Sequence, residues 1–183
     1  HSYSSVFAGE STIILAVLYE YIEAYSLMYI EKSINSLGKF ISLMIPVMTI
    51  LMIVIIVARY FFGIGLTGLQ EFVMYLHAFI FLGCAGYVHY KDEHVRVDIF
   101  YRGSSNVYKN NVNFILNIFF LLPVCVVIGF YSLELIEMSW RIREVSTEAG
   151  GLDYVYIQKT LIILFPLTMI LTVAYQLIHK KWK

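Results

Sequence analysis

Four long apolar runs constrain the fold of this chain more than any other feature of its sequence. They are residues 41–58, 72–90, 114–133 and 160–178. Each is close to the roughly 20 residues that a helix needs to cross the hydrocarbon core of a bilayer. Because backbone polar groups in lipid must pair within one segment, each run is predicted to be a helix. The sequence thus predicts an all-α integral membrane protein with four transmembrane helices.

The composition supports a membrane protein and excludes other classes. Hydrophobic residues make up 60% of the chain and charged residues 14%, whereas soluble domains are about 45–50% apolar and about 25% charged. Such hydrophobicity excludes a disordered chain. The net charge is zero, which excludes a nucleic-acid binder that relies on bulk positive charge. Cys84 and Cys125 both lie inside apolar runs, so no disulfide framework is expected.

The N-terminal stretch 11–30 is also long enough to span, but it carries acidic residues. Glu20, Glu23 and Glu31 fall on one stripe of a helix. Two glutamates within a span would each cost about 2.5–3.5 kcal/mol on an insertion scale. We therefore expect an amphipathic helix in the membrane interface, with a fifth span as the alternative. On this basis residues 1–37 form an N-terminal extension and residues 38–183 the four-helix domain.

The distribution of basic residues predicts the orientation. Nine of the 13 Lys and Arg residues lie on the side that carries both termini and the 91–109 loop. Four lie on the other side, namely Arg59, Arg141, Arg143 and Lys159. Because basic residues concentrate on the cytoplasmic side, both termini are predicted to be cytoplasmic.

Polar residues inside the apolar runs are few, which limits the chemistry that the chain can perform. His77 and His89 lie in the second run. They could ligate haem, but a separation of twelve residues places them at different depths, and each would need another helix's histidine. A haem- or quinone-binding anchor of an oxidoreductase is therefore the alternative function.

Ser146, in the last loop, has no adjacent histidine, so nucleophilic catalysis is not supported. A membrane enzyme of lipid or glutathione chemistry is the third function considered and ranks lowest.

Short polar and small-residue patterns mark candidate structural sites. A patch of small residues, Gly83, Ala85 and Gly86, could let another helix approach closely. Arg59 and Glu71 bracket the first hairpin; they either form a salt bridge or act separately at their helix ends. In the next loop His94, Arg96 and Asp98 alternate with apolar residues, so this segment is expected to lie along the interface. Their spacing fits no zinc or calcium site.

The order of these motifs resembles one transporter family. ARY closes the first run and QE opens the second, DEHVRVDIF follows the second, and SWRIREVSTEAGGLDYVYIQK precedes a last helix that ends near Gln176. Together these elements resemble the DctQ-type small membrane subunit of tripartite ATP-independent periplasmic (TRAP) transporters. The resemblance covers the chain from about Tyr29 to its C-terminus.

The resemblance implies a role and a set of partners. Members are four-helix proteins of the bacterial inner membrane that brace a larger permease subunit while its transport domain moves. The large subunit holds the substrate and sodium sites, and a periplasmic binding protein delivers an organic acid. This chain is then not an enzyme and holds no cofactor or metal, and sodium ions are expected in the partner. Membrane phospholipids are expected neighbours, and nucleic acid is not.

The resemblance also implies roles for particular residues. His94, Arg96 and Asp98 match the family's cytoplasmic motif and would anchor it at the membrane surface. Residues of the last loop would face the periplasm and could dock the binding protein: Trp140, Arg141, Arg143 and Glu144.

Overall fold

The computed structural model describes Tyr21, Tyr25, residues 28–94 and residues 103–179. These residues contain four helices that are long and apolar enough to cross a membrane: α1 (Met28–Phe62), α2 (Thr67–Lys91), α3 (Asn106–Ile142) and α4 (Val155–Ile178). The described residues include no strand. The predicted all-α membrane fold with four transmembrane helices is therefore confirmed.

Helices α1 and α3 are much longer than the apolar runs that predicted them. Helix α1 has 35 residues, or about 52 Å at 1.5 Å per residue, against a hydrocarbon thickness of about 30 Å. It passes through position 37 without a break, so a domain boundary at that position stays a prediction. Most of the 11–30 stretch, for which an interfacial helix was predicted, lies outside the described residues.

Three of the helices change their winding close to a proline. Helix α1 has a turn at Leu43, three residues before Pro46. Helix α3 consists of Asn106–Leu116, a π-helical turn Asn117–Leu121, and Leu122–Ile142, which has Pro123 in its first turn. Helix α4 consists of Val155–Thr160, a 3₁₀ turn Leu161–Ile163, and Leu164–His179, one residue longer than its apolar span. Proline lacks the backbone N–H that an α-helical turn requires, so the neighbouring carbonyl groups must adjust.

Helices α2 and α4 form the centre of the bundle. Helix α1 packs on α2, and α3 packs on α4. Buried residues from three helices meet in the core: Ala85 of α2, Cys125 of α3 and Met169 of α4. In the most apolar stretch of each helix, 33% of the residues of α4 are buried, against 11% of those of α1 and of α3. Most of the apolar surface of the two outer helices is therefore left for lipid or for another protein.

The connections divide the bundle into two ends. Residues 63–66 join α1 to α2, and residues 143–154 join α3 to α4. Both connections lie at the same end, where a Cβ added to Gly68 would come within 3.0 Å of the carbonyl oxygen of Gly150. We call this the hairpin end. The opposite end carries the first residues of α1, the described residues 92–94 and 103–105, and the last turn of α4; we call it the tail end.

Candidate interaction site at the hairpin end

The carboxylate of Glu71 ties the two hairpins together. Glu71 lies in the first turn and a half of α2 and is 8% exposed. Its Oε2 accepts a hydrogen bond of 2.6 Å from the backbone N–H of Leu152, and its Oε1 accepts one from the hydroxyl of Ser146. Both donors belong to the 143–154 connection, 75 and 81 residues further along the chain. A single carboxylate therefore fixes the shape of a loop that belongs to the other hairpin.

Backbone hydrogen bonds within the 143–154 loop also hold the loop around the Glu71 carboxylate. The N–H of Ser146 donates to the carbonyl of Leu152 (3.0 Å), and the N–H of Gly151 donates to the carbonyl of Glu148 (3.0 Å). Gly150 has a φ of 75°, a conformation that favours glycine. At Gly151 a Cβ would lie 2.8 Å from Oε1 of Glu71 and closer still to Ser146. The Gly-Gly pair of the sequence thus permits the turn and the close approach to Glu71.

The salt bridge between Arg59 and Glu71 is not formed. Both carboxylate oxygens of Glu71 already accept hydrogen bonds from the 143–154 loop. The exposed side chain of Arg59 has no carboxylate within ion-pair distance among the described residues. The sequence left open whether these two residues form a salt bridge or act separately at their helix ends. In the structure the partners of Glu71 come from the neighbouring hairpin, and separate roles at the helix ends stay a prediction.

A second carboxylate, Glu144, joins the end of α3 to the start of α4. Its Oε2 accepts a hydrogen bond from Nζ of Lys159 at 2.5 Å and one from the buried hydroxyl of Ser139 at 2.7 Å. These two hydrogen bonds, with the positive charge of Lys159, hold the pKa of the Glu144 carboxyl below its usual range. Glu144 therefore stays ionised in the folded protein and supports the loop.

Trp140 is also fastened to α4. Its indole N–H donates to Oγ1 of Thr160 at 2.8 Å, and its ring packs edge-on against Tyr156 with centroids 4.7 Å apart. Arg143 ends α3 in the left-handed conformation with a φ of 45°. The side chains of Arg141 and Arg143 are exposed. Of the four predicted docking residues, Trp140 and Glu144 therefore support the loop. Arg141 and Arg143 present positive charge at the surface.

The small residues of α2 lie at contacts with two other helices. A Cβ on Gly86 would lie 2.4 Å from the carbonyl oxygen of Thr168 in α4, and one on Gly83 would lie 2.9 Å from Cδ1 of Ile41 in α1. Thr172 donates a hydrogen bond of 3.0 Å to the carbonyl of Gly86. Ala85 belongs to the core between α2, α3 and α4. The patch serves packing inside this chain.

At the tail end an acidic residue of α1 is bound by two tyrosines. The hydroxyl of Tyr90 donates to Oε1 of Glu31 at 2.6 Å, and that of Tyr175 donates to Oε2 at 3.4 Å. The two tyrosine rings pack edge-on with centroids 5.5 Å apart. Glu31 of the predicted acidic stripe thus contacts α2 and α4.

The predicted DEHVRVDIF motif is described only in its first part. His94 folds back on the end of α2, where its Nε2–H donates to the carbonyl of Ala85 at 3.3 Å. Arg96 and Asp98 lie outside the described residues. The anchoring role of this motif stays a prediction.

The two histidines of the second run have ordinary aromatic neighbours. His77 stacks on Phe81 with centroids 6.3 Å apart, and the ring of His89 lies 5.9 Å from that of His94. Among the described residues no three His, Cys, Asp or Glu side chains form a group that could hold a metal ion.

Sequence reasoning missed several residues of the hairpin end. Ser139, Lys159 and Thr160 looked like ordinary loop or helix-end residues, and the predicted third span stopped before Glu134 and Glu137. Helix α3 continues to Ile142 and exposes both glutamates. The double glycine at 150–151 indicates a tight turn in this loop, but it gives no sign of the residues that support the loop.

A comparison with protein families identifies one match. The family model for the DctQ component of tripartite ATP-independent periplasmic transporters matches residues 9–180. The match begins about 20 residues before Tyr29, where the sequence resemblance was placed, so it includes most of the N-terminal extension. Neither a curated protein nor a solved structure matches the chain.

Proposed function

The chain belongs to the DctQ component family of TRAP transporters, and from that premise we propose that it is the stationary scaffold of its transporter. The family makes it a small permease subunit and not an enzyme. This membership supports a transporter subunit over the alternative of a haem- or quinone-binding anchor. The protein is a multi-pass membrane protein, as its four spanning helices require.

The single observation that carries the scaffold proposal is the pair of outer helices. Helices α1 and α3 leave most of their apolar surface uncovered, and each is longer than the bilayer core. Polar contacts between helices lie at both ends of the bundle: Glu71 and Glu144 at the hairpin end, and Glu31 at the tail end. A bundle fastened at both ends resists deformation and suits a subunit that holds still while another moves.

The proposal extends to the partners and to the cargo. The larger permease subunit would pack on α1 or α3 and carry the sodium and substrate sites, and a periplasmic binding protein would deliver an organic acid. The apolar runs support this division because they contain no Asp, Glu, Lys or Arg that could bind an ion at mid-membrane. Both termini would then be cytoplasmic, in the bacterial inner membrane.

Purification from the native membrane tests the scaffold. The tagged chain is extracted in mild detergent, and the proteins that accompany it are identified and quantified by mass spectrometry. We expect a larger polytopic permease in equal amount. Recovery with redox subunits, or of the chain without a permease after chemical crosslinking, would contradict the proposal.

Reconstitution tests the cargo and the ion. Proteoliposomes that contain both membrane subunits are given the binding protein and a labelled organic acid. Uptake should require an inward sodium gradient and the binding protein together. Equal uptake without sodium would refute sodium coupling while leaving the scaffold role intact.

For docking of the binding protein we assign the contact to the two exposed arginines at the end of α3. Arg141 and Arg143 are exposed, whereas Trp140 and Glu144 are engaged with α4. Exposed cations act mainly through steering of an oppositely charged partner. The variants Arg141→Glu and Arg143→Glu should raise the binding-protein concentration needed for half-maximal transport about tenfold, with the maximal rate retained. Lys109→Glu, at the tail end, is the control, and equal transport by all three would exclude this surface.

A further inference from the structure

A lateral groove between α1 and α2 has no role in the scaffold described above. Its volume is about 800 Å³, and its walls come from both helices near the hairpin end, with Gln158 of α4 at one edge. Apart from His77, the lining away from the hairpin end is apolar and rich in methionine: Met48, Met52 and Met74. Met52 is 45% exposed and Met74 54% exposed, so the groove opens towards the membrane.

One end of the groove is polar and positively charged. Arg59 lies there with the amides of Gln70 and Gln158. Among the described residues, no carboxylate lies within ion-pair distance of Arg59. Tyr60, next to Arg59, is 80% exposed, as is usual for tyrosines at the membrane surface. A guanidinium with amide donors beside it matches the oxygen atoms of a phosphate group.

The length and the lining of the groove suit an acyl chain. From Met48 to Arg59 helix α1 rises by about 16 Å, which is close to half of the hydrocarbon thickness of a bilayer. Flexible methionine side chains adapt well to slender, mobile chains.

We propose that this groove binds a phospholipid with an anionic headgroup. The phosphate lies against Arg59, Gln70 and Gln158, and an acyl chain runs along the methionine-lined wall between α1 and α2. The site combines an apolar, methionine-lined groove with a cation that has no carboxylate partner among the described residues. A lipid held there fills the gap between the outer helix and the bundle centre.

Native mass spectrometry of the full chain tests the proposal, with the subunits that accompany it from its membrane left in place. The protein is exchanged into mixed nanodiscs of phosphatidylglycerol and phosphatidylcholine with identical acyl chains, and the retained lipids are counted after release. The wild type should retain phosphatidylglycerol over phosphatidylcholine about fivefold, the upper end for an exposed charge pair. Both lipids offer a phosphate to Arg59, but the choline cation of phosphatidylcholine offsets its negative charge. Arg59→Gln should bring the ratio close to one, and Arg59→Lys should keep part of the preference.

A matched control and a groove-filling variant separate the site from general surface charge. Arg141→Gln removes another exposed arginine of the hairpin end and should leave the ratio unchanged. Ala78→Phe fills the groove without changing charge and should lower the retention of both lipids. If Ala78→Phe does not fold, as judged by size-exclusion chromatography, the Arg59 series still decides.

Three outcomes would overturn the proposal. The first is a wild-type ratio near one, and the second is an equal loss of preference in Arg59→Gln and Arg141→Gln. The third is unchanged retention of both lipids by a folded Ala78→Phe variant, because the lipid would then lie outside the groove. None of these outcomes bears on whether a permease co-purifies, so failure of the lipid site is distinguishable from failure of the scaffold role.

Discussion

The two carboxylates of the hairpin end accept hydrogen bonds from different classes of donor. Glu71 receives a backbone N–H and a hydroxyl, and neither donor carries charge. Glu144 receives an ammonium and a hydroxyl. Removal of charge should therefore affect the two sites differently, and each can be tested separately.

Glu71→Gln should destabilise the loop because an amide offers an N–H where both partners are donors. At least one of the two hydrogen bonds from Leu152 and Ser146 must then be lost or rearranged. We expect the melting temperature in detergent to fall by about 5 °C, measured by a fluorescence thermal shift. Glu148→Gln is the control, because Glu148 is an exposed acid in the same loop. An equal effect of the two variants would mean that Glu71 does not hold the loop.

The depressed pKa of Glu144 predicts a dependence of stability on pH. A carboxyl whose pKa is lower in the folded state stabilises the fold at pH above its unfolded pKa, about 4.3. This contribution is lost as the pH falls through the folded pKa. Thermal unfolding from pH 7 to pH 3 should thus show a larger loss for the wild type than for Glu144→Gln. Parallel curves would show that the contact with Lys159 does not stabilise the protein.

The hydrogen-bond partners of individual side chains were the part of the structure that the sequence predicted least well. Glu71 was identified as a candidate site residue, but the two donors that it binds were not. Burial of Glu71 brings it to Ser146 and Leu152, which are more than 70 residues away. Local pattern carries no information on such contacts, since they depend on how the two hairpins dock.

At the scale of helices, the close contact between α2 and α4 sets the spacing at the centre of the bundle. Gly86 lies against the backbone of Thr168, and Thr172 donates to the carbonyl of Gly86. Only a residue without a Cβ allows this approach. The contact is tighter than that at Gly129, where a Cβ would meet Pro166 at an ordinary 3.7 Å.

Gly86→Ala should force α2 and α4 apart. Overpacking of a tight contact costs about 1–3 kcal/mol, and here the obstacle is backbone that cannot rotate away. Gly129→Ala is the matched control and should leave the melting temperature unchanged. Gly83→Ala should have an intermediate effect, because it meets the flexible end of Ile41. An equal fall in melting temperature in all three variants would mean that the helices tolerate no substitution of glycine, whatever the local contact.

Helices were predictable from sequence in number and type but not in length. The four apolar runs correspond to α1–α4 because the bilayer demands a helix wherever such a run occurs. The charged segment 134–142 was excluded from the third span, yet it continues α3 for more than two turns. Beyond the membrane surface, water removes the penalty for charge, so hydropathy no longer reports where a helix ends.

At the scale of the whole molecule, the orientation in the membrane is open to a direct test. The count of basic residues predicts a cytoplasmic tail end and a periplasmic hairpin end. In intact cells, Val145→Cys should react with a membrane-impermeant maleimide, and Asn106→Cys should react after permeabilisation. Both positions are exposed and lie at opposite ends. The reverse pattern would invert the proposed docking side.

The hydrogen bonds between Glu71 and the 143–154 loop also bear on the order in which the chain is synthesised and folds. The carboxylate is synthesised 75 and 81 residues before its two partners. At translation rates of about 5–20 residues per second, this is an interval of about 4–16 s. During that interval Glu71 lacks the two donors that its carboxylate has in the folded protein. The contact between the two hairpins at Glu71 can therefore form only after the last loop has been synthesised.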